Sequence, residues 1–207
     1  YTMWVHQIKT PIASMHLILQ KEDSEDSRRL RAELFRVEQY VQMVLCFLRL
    51  DSDFTDYVIK EYRVDDIIRP AVRRLAPQFI MKKLSLEYEQ TDEVALTDEK
   101  WLGFVVEQVL SNAVKYTSAG SISIKCDGDR LVISDTGIGI AAEDLPRIFD
   151  KGYTGFNGRA DRKASGIGLY LCRRICDNLG HSIKAESVPG HGTTIIIGLE
   201  RDKLEVE

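Results

Sequence analysis

The residues with the clearest potential for chemistry begin where a β-branched run ends. Residues 131–134 (Leu-Val-Ile-Ser) are followed at once by Asp135, Thr136, Gly137 and Gly139. The apolar run predicts a buried strand, and the glycines predict a turn in which the backbone approaches a ligand closely. Such a turn leaves the Asp135 carboxylate facing a cavity. Taken alone, however, Asp-Thr-Gly is better explained as an ordinary turn after a strand.

Four further motifs change that interpretation, because they flank the turn in a fixed order. They are Trp-Val-His-Gln-Ile-Lys-Thr-Pro at residues 4–11, Asn-Ala-Val-Lys-Tyr at 112–116, Ile-Phe-Asp-Lys-Gly at 148–152 and Ser-Gly-Ile-Gly-Leu at 165–169. With the Asp-x-Gly-x-Gly turn, they resemble the phosphoacceptor box and the four ATP-site boxes of sensor histidine kinases. Each motif is weak alone, but five in the right order over nearly the whole chain form a specific signal.

The resemblance implies a role for each matching residue. Asp135 would accept a hydrogen bond from the exocyclic amine of adenine, a position where guanine presents a carbonyl. Asn112 would be the protein ligand of the Mg²⁺ ion bound to ATP, and Lys115 would meet a phosphate. The other expected nucleotide-binding residues are Tyr116, Gly137, Gly139, Gly166, Gly168 and Leu169. The last three open a helix whose free N–H groups suit phosphates.

A helix predicted over residues 98–116 positions the metal ligand. Its apolar residues recur at helical spacing and form one stripe, consisting of Leu102, Val105, Val109 and Ala113. Its polar residues share another face, consisting of Gln108, Ser111, Asn112 and Lys115. A solvent-exposed face explains Ser111 well but Asn112 poorly, because Asn has a low helix propensity. Gln108 stands where many members of the resembled family carry a second asparagine.

The first motif places His6 on the polar side of an amphipathic helix. The apolar stripe of this helix comprises Trp4, Ile8, Ile12, Met15 and Leu19. His6 lies roughly 200° around the axis from Trp4 and from Ile8, so it points into water. Thr10 shares its face, and Pro11 frees the carbonyl of Gln7 beside it. An exposed helical histidine is usually only solvated, which is the expectation for His16.

The catalytic residues that the resemblance implies are His6, Gln7 and Thr10. His6 would be the phosphorylated residue. Many relatives carry an acid where this chain has Gln7. A glutamine carbonyl can still fix the histidine tautomer but supplies no negative charge. Thr10 would orient the water that hydrolyses the phospho-aspartate of a response regulator.

Residues 152–166 are rich in Gly, Arg and Lys, with Arg159, Arg162 and Lys163 among four glycines. This composition predicts a mobile basic lid over the phosphates. A plain surface loop is the alternative.

Composition bounds the class of protein. At 207 residues with 44% hydrophobic content, the chain can bury one good core or two modest ones. Its net charge of -4 argues against a nucleic-acid-binding protein, which needs a basic surface. No apolar run approaches the roughly 18 to 20 residues of a membrane span, and no signal peptide is evident. The cysteines Cys46, Cys126, Cys172 and Cys176 are expected to be reduced core thiols of a cytosolic protein.

The first fifty residues predict a helical hairpin. The second helix has a heptad pattern comprising Leu30, Leu34, Val37, Val41, Val44 and Leu48. Residues 23–27 would separate the helices, with Ser24 or Ser27 as cap. Such a hairpin can bury its apolar seam only against a copy of itself, so a homodimeric four-helix bundle is expected. The pattern begins at Tyr1 without a capping residue, so the chain is expected to be cut from a longer protein.

Three regions are therefore expected: a dimerisation and phosphoacceptor hairpin at 1–50, an acidic linker at 51–56 and an ATP-binding domain at 57–207. In the last, strands are predicted at 57–62, 84–89, 121–125, 131–134, 183–188 and 193–199. Helices are predicted at 64–82, 98–116 and 168–179, with Thr97 capping the second. These elements predict an α+β fold. The resemblance implies an α/β sandwich of the gyrase, Hsp90 and histidine kinase type, with helices on one face of a mixed sheet.

The resemblance implies the cytoplasmic core of a membrane-bound sensor histidine kinase, most similar to the short-sensor kinases of Gram-positive bacteria that work with peptide-antibiotic transporters. It implies ATP and Mg²⁺ as cofactors. The implied partners are a second copy, a response-regulator receiver domain and, through membrane segments, an ABC transporter, but no nucleic acid. Two alternatives stay open. One is a gyrase- or Hsp90-type ATPase or serine kinase, and the other is a dimeric scaffold that binds ATP without transferring it.

Overall fold

The structure is a computed structural model that describes residues 2–21, 24–51, 57–155 and 165–200, with side chains from Gln7 onward. The chain divides into two compact units, Tyr1–Thr55 and Asp56–Glu207. Of the linker expected over residues 51–56, only Asp51 falls within the described residues, where it follows the last turn of a helix.

Two helices form the first unit. α1 spans Thr2–Leu19 and α2 spans Glu25–Leu50, which confirms both predicted helices. Ser24 caps α2, because its side-chain oxygen accepts a hydrogen bond from the backbone N–H of Ser27 at 3.1 Å. Glu25 and Asp26 place negative charge in the first turn, where the helix dipole is positive.

Apolar residues of the helical unit divide between buried and exposed positions. The buried ones are Ile12, Leu34, Met43, Cys46 and Leu50. The exposed ones include positions that repeat every seven residues, Ile8 and Met15 on α1 and Leu30, Val37 and Val44 on α2. The predicted seam is therefore wrong at Leu34, which is already buried within the single chain. The exposed heptad positions remain candidates for contact with another chain.

His16 does not behave as the solvated residue that was expected. Its Nε2 atom lies 3.0 Å from Glu38 Oε1, and both side chains are partly buried. The prediction failed because it considered one helix at a time, whereas Glu38 belongs to α2.

The second unit contains seven strands and three helices among its described residues. In chain order they are β1 (Lys60–Arg63), α3 (Val64–Lys82), β2 (Ser85–Tyr88), β3 (Val94–Thr97), α4 (Glu99–Tyr116), β4 (Ser121–Asp127), β5 (Arg130–Asp135), α5 (Gly168–Leu179), β6 (Ser182–Val188) and β7 (Gly192–Gly198). A single 3₁₀ turn, Leu145–Arg147, follows β5. The helices and six of the strands were predicted, with boundaries that differ by a few residues.

A mixed sheet forms the centre of this unit. Its strand order is β2-β4-β5-β7-β6, with β2 and β4 parallel and the other neighbours antiparallel. Alternate side chains of these strands are buried, among them Ile122, Ile124, Leu131, Ile133, Ile183 and Ile197. This alternation places one face of the sheet in the core. The predicted α+β architecture is confirmed.

The three helices complete that core. α4 packs against α3, α5 and β5, and α5 also packs against β6. The predicted apolar stripe of α4 is buried, and Val106, Leu110 and Val114 are buried with it. The stripe is wider than predicted because α4 has helical neighbours as well as the sheet.

β3 was missed by the sequence analysis. It pairs antiparallel with β1 in a separate two-stranded sheet. Its apolar residues Val94 and Leu96 are exposed, whereas Ala95 and Thr97 face inward and are buried. In β3 the larger apolar residues are thus the exposed ones, which is the reverse of the alternation expected of a half-buried strand. No strand was predicted there for this reason.

The predicted cap of α4, Thr97, is wrong. Asp98 is the cap, because its Oδ1 accepts hydrogen bonds from the N–H groups of Lys100 and Trp101 at 2.9 and 3.2 Å. Its Oδ2 accepts a further bond from Val58 N–H at 2.7 Å. Thr97 instead ends β3, and its hydroxyl lies 2.9 Å from His181 Nε2.

Replacing Lys83 by Gly is expected to stabilise the protein by about 1 kcal/mol. Lys83 ends α3 with φ 55° and ψ 38°, a left-handed conformation that strains any residue with a Cβ. Gly180 meets the same requirement after α5, with φ 74°. Urea unfolding of Lys83→Gly measures the gain. Gly180→Ala is the reverse control and should lose stability. A loss of stability in Lys83→Gly would contradict the strain argument.

No helix among the described residues is long and apolar enough to cross a membrane. All four cysteines are free. Burial raises the pKa of the Cys176 thiol to about 12, so that group is protonated in neutral solution.

Candidate functional site

The carboxylate of Asp135 stands at the end of β5 and is held by two backbone donors. The N–H groups of Gly137 and Thr193 donate to its Oδ1, at 2.8 and 3.3 Å. Thr193 lies on β7, so the pairing of β7 with β5 sets this contact. Burial raises the pKa of Asp135, and these bonds and the nearby Thr117 hydroxyl oppose the rise. Because both backbone donors reach Oδ1, Oδ2 remains for a ligand.

Two glycines let the loop after Asp135 pack tightly. A Cβ on Gly137 would lie 2.5 Å from the Tyr116 carbonyl oxygen and 2.8 Å from Asp135 Oδ1. Gly139 has φ +68°, and a Cβ there would overlap the Val188 carbonyl group. The loop therefore contacts the end of α4 on one side and the end of β6 on the other. The close approach to a nucleotide expected of these glycines stays a prediction.

The last turn of α4 is joined to the same loop. Ile138 N–H donates to the Tyr116 carbonyl oxygen at 3.2 Å. The hydroxyl of Thr117, the next residue, is fully buried beside Gly137 and makes no hydrogen bond of normal geometry to a described residue. A buried hydroxyl without a partner is costly, so its position against Asp135 and Gly137 marks a polar site rather than part of the core.

The polar face of α4 lies one turn before this loop. Asn112 and Gln108 are half-buried, and their amides make no hydrogen bond to another described residue. Lys115 Nζ lies 4.9 Å from the centroid of the Tyr116 ring. An amide oxygen without a protein donor is a chemically suitable ligand for Mg²⁺, and an ammonium group suits a phosphate.

The N-terminus of α5 approaches this polar face. A Cβ on Gly168 would lie 2.5 Å from Gln108 Nε2, so a larger residue there would displace the Gln108 side chain. No side chain among the described residues caps α5, which leaves its first N–H groups for an anion. Leu169 follows in the first turn and is half-buried.

The expected lid is described only at its two ends. Gly152 N–H donates to the Gly166 carbonyl oxygen at 2.9 Å, which joins those ends. At the first end, the Tyr153 hydroxyl donates a hydrogen bond to the Asp144 carboxylate. The guanidinium of Arg147 lies 4.3 Å from the centroid of the Tyr153 ring. The lid residues Arg159, Arg162 and Lys163 lie outside the described residues.

The three expected catalytic residues, His6, Gln7 and Thr10, all lie within α1. The side chain of His6 lies outside the described part of the structure, and those of Gln7 and Thr10 are exposed. Pro11 is inside the helix, as predicted. The roles assigned to these residues by resemblance remain predictions.

Three residues contribute to the site without having been predicted. Thr193 supplies a backbone N–H, Thr117 a buried hydroxyl and Asp144 a carboxylate at the base of the lid. A backbone donor leaves no signal in the sequence. Thr117 directly follows a recognised motif, and this position was the only available indication of its role.

A family model described as histidine kinase-, DNA gyrase B-, and HSP90-like ATPase matches residues 97–203. The chain belongs to this family. The matched range includes Asn112, Asp135 and Gly168, but not α1, which contains His6, Gln7 and Thr10. The fold class inferred from the motifs is confirmed by the same match.

Curated members of this ATPase family are similar over nearly the whole chain. Sensor histidine kinase YxdK of Bacillus subtilis (strain 168) is 35% identical over 93% of this chain. Sensor protein BceS of Halalkalibacterium halodurans is 35% identical over 96%, and sensor histidine kinase GraS of Staphylococcus haemolyticus is 34% identical over 95%. The resemblance to Gram-positive sensor histidine kinases is therefore confirmed. The chain spans 61%, 61% and 59% of the length of these relatives.

Solved structures support the fold. Full-length ShkA in complex with AMPPNP matches 98% of this chain and 46% of its own, with TM-score 0.68 and 21% identity. Histidine kinase AdeS of Acinetobacter baumannii matches 94% of this chain and 98% of its own, with TM-score 0.58 and 20% identity.

The described residues fit the nucleotide that this ATPase family binds. Both backbone donors bind Oδ1 of Asp135, so its Oδ2 atom remains for a ligand. The buried Thr117 hydroxyl nearby makes no hydrogen bond of normal geometry to a described residue. The Asn112 amide and the uncapped start of α5 are polar groups to which no other side chain of the described residues is hydrogen-bonded. Together they offer an acceptor for a base, a ligand for a metal and donors for an anion.

Proposed function

We propose that this chain is the phosphotransfer core of a sensor histidine kinase, in which His6 takes the γ-phosphoryl group of ATP. The observation that carries the proposal is the Asp135 carboxylate, fixed through Oδ1 and left with Oδ2 for a base. The similarity of the chain to sensor histidine kinases, through the helix that contains His6, links this site to a histidine.

Each group at the site has one task. Asp135 Oδ2 accepts a hydrogen bond from the adenine amine, and the Asn112 amide oxygen binds Mg²⁺. Lys115 and the first N–H groups of α5 bind phosphate oxygens. When bound, ATP supplies the phosphoryl group and Mg²⁺ neutralises its charge.

At the phosphoacceptor, His6 Nε2 forms a bond to phosphorus while the bond from phosphorus to the ADP oxygen breaks. Gln7 accepts the Nδ1–H hydrogen bond and so holds the tautomer with Nε2 free. The charge on the ring is relieved when the Nδ1 proton passes to water, since a glutamine cannot take it. Thr10 serves a separate reaction, in which it orients the water that attacks the phosphorus of a regulator's phospho-aspartate, so that the aspartate oxygen leaves and inorganic phosphate forms.

Phosphorylation from radiolabelled ATP tests this function. The expected product is acid-labile and alkali-stable phosphate on the wild-type chain, absent from His6→Gln. Asn112→Ala should lose the Mg²⁺-dependent transfer. Acid-stable phosphate would instead indicate a serine kinase, and ATP hydrolysis without labelled protein would indicate a gyrase- or Hsp90-type ATPase. Tight ATP binding with neither outcome would indicate a scaffold.

We also propose that two copies assemble through the exposed heptad positions of the helical unit. Val44→Asp is expected to convert a dimer to a monomer, because burying a charge in this seam costs several kcal/mol. Val44 is 56% exposed in the single chain. Val94→Asp is the matched control, since Val94 on β3 is 54% exposed but lies in the other unit. Analytical ultracentrifugation distinguishes the two. A dimeric Val44→Asp would show that the seam lies elsewhere.

The remaining partners follow from the same similarity. We propose that a response-regulator receiver aspartate takes the phosphoryl group from His6. The whole protein would be anchored in the cell membrane, with this part in the cytoplasm, and would act with an ABC transporter in the response to antimicrobial peptides. Transfer of label from His6 to a receiver domain measures the first of these interactions.

A further inference from the structure

The end of α4 is capped by a lysine from another helix. Lys82, the last residue of α3, donates from Nζ to the carbonyl oxygens of Val114, Lys115 and Thr117 at 2.5, 3.0 and 3.1 Å. The last carbonyls of a helix have no donor within the helix itself. α4 ends in an extended residue, Thr117, rather than in a left-handed glycine. The ammonium of Lys82 therefore provides the cap that the local sequence lacks.

Between Val114 and Thr117, the one carbonyl group that Lys82 does not contact is bound by the loop after Asp135. The oxygen of Tyr116 accepts a hydrogen bond from the N–H of Ile138, which lies between the two glycines of the Asp-x-Gly-x-Gly turn. Every carbonyl from Val114 to Thr117 thus has a donor from outside α4. Three of these bonds join the end of α4 to Lys82 of α3, and the fourth joins it to the loop after Asp135.

The environment of the Lys82 ammonium supports a specific role in holding the end of α4. It is half-buried, and desolvation lowers its pKa. No acid among the described residues pairs with it. The ammonium is therefore partly withdrawn from water and faces carbonyl dipoles rather than a carboxylate, at the negative end of a helix. This is the end of α4 on which Asn112 and Lys115 lie.

We propose that Lys82 is a positioning residue of the nucleotide site. It touches neither base nor phosphate. It fixes the last turn of α4, and through Tyr116 and Ile138 it fixes the loop that aims Asp135. The inference rests on the proposed binding of ATP at this site.

Three variants test the inference by isothermal titration with ATP and Mg²⁺, well below the melting temperature. Lys82→Met keeps the apolar stem and removes the donors, and its dissociation constant for ATP should rise about tenfold. Lys82→Arg keeps charge and donors and should restore most of the affinity. Lys83→Met is the matched control, because it makes the same substitution at the neighbouring, exposed residue and should bind ATP as the wild type does.

A second readout needs no nucleotide. Amide hydrogen exchange of Ile138 should accelerate in Lys82→Met, because its acceptor lies on a helix end that has lost its cap. A residue that only stabilised the fold would lower the melting temperature but leave the ATP affinity and this amide unchanged.

The outcomes separate this inference from the proposed function. If the wild type fails to bind ATP, the proposed function is wrong. If the wild type binds and Lys82→Met binds equally well, only the positioning role is overturned. The same holds if Lys83→Met loses as much affinity as Lys82→Met. If Lys82→Met does not fold, Lys82→Gln replaces it, and wild-type affinity in that variant would overturn the inference.

Discussion

Asp135→Asn is expected to weaken ATP binding about 100-fold while it raises the stability of the nucleotide-free protein. The loss of affinity follows from the orientation of the side chain. Gly137 and Thr193 donate to Oδ1, so the amide of an asparagine would keep its oxygen there. Its NH₂ group would then occupy the place of Oδ2. A donor would face the adenine amine, which is also a donor.

The gain in stability follows from the raised pKa of Asp135. The folded protein binds this proton more tightly than the unfolded chain does. The carboxylate therefore costs stability increasingly as the pH rises from the unfolded-state pKa to the raised folded-state pKa, and the full cost is present above the folded-state pKa. Asparagine accepts the same backbone bonds without carrying the charge. The melting temperature of the nucleotide-free variant should accordingly exceed that of the wild type at pH 7.

Calorimetry of both proteins with and without ATP measures the two effects together. Asp127→Asn is the control, because it removes the same charge from an exposed position on β4 and should alter neither quantity. Wild-type affinity should fall at acidic pH, beginning above the usual range of an aspartate, since only the ionised carboxyl accepts the adenine bond. Unchanged affinity in Asp135→Asn would remove the main support for the pocket.

Gln7→Glu is expected to raise the initial rate of His6 phosphorylation, by up to the roughly 10² to 10⁴-fold attributed to general acid-base groups. Gln7 can hold the Nδ1–H group of the histidine but cannot stabilise the positive charge that grows on the ring. A carboxylate does both. The Gln7 side chain is exposed, so the substitution buries no charge and should leave the fold intact.

Thr10→Ala is expected to separate the two activities of the phosphoacceptor. A hydroxyl that orients water is needed for dephosphorylation of the regulator but not for phosphorylation of His6. The rate of His6 labelling should stay close to the wild-type rate while phosphatase activity disappears.

Single-turnover assays decide both points. Gln20→Glu, an exposed glutamine just beyond the other end of α1, is the control for added charge. Ser14→Ala controls for loss of a hydroxyl, since Ser14 lies one turn from Thr10 on the same helix. A rate for Gln7→Glu no higher than that of Gln20→Glu would refute the charge argument. Retained phosphatase activity in Thr10→Ala would refute the water-orienting role.

Local patterns in the sequence were sufficient for most of the elements and for the residue types at the site. The β-branched run before Asp135 predicts a strand, and the glycines after it predict a turn. The apolar stripe of α4 places Asn112 and Lys115 on a separate polar face. These features were predictable because strand alternation, helical spacing and glycine conformation depend on neighbours within a few residues.

The tertiary structure decided which groups meet across the chain. Thr193 reaches Asp135 through strand pairing, Lys82 reaches the end of α4 from another helix, and Glu38 reaches His16 from α2. Asp98 rather than Thr97 caps α4, because Thr97 is drawn into β3 and bonds to His181. β3 itself escaped prediction because its apolar residues face outward. Apart from the local Asp98 cap, these contacts join residues far apart in sequence. The free energy of such a contact depends on sheet register and helix packing, which no local pattern encodes.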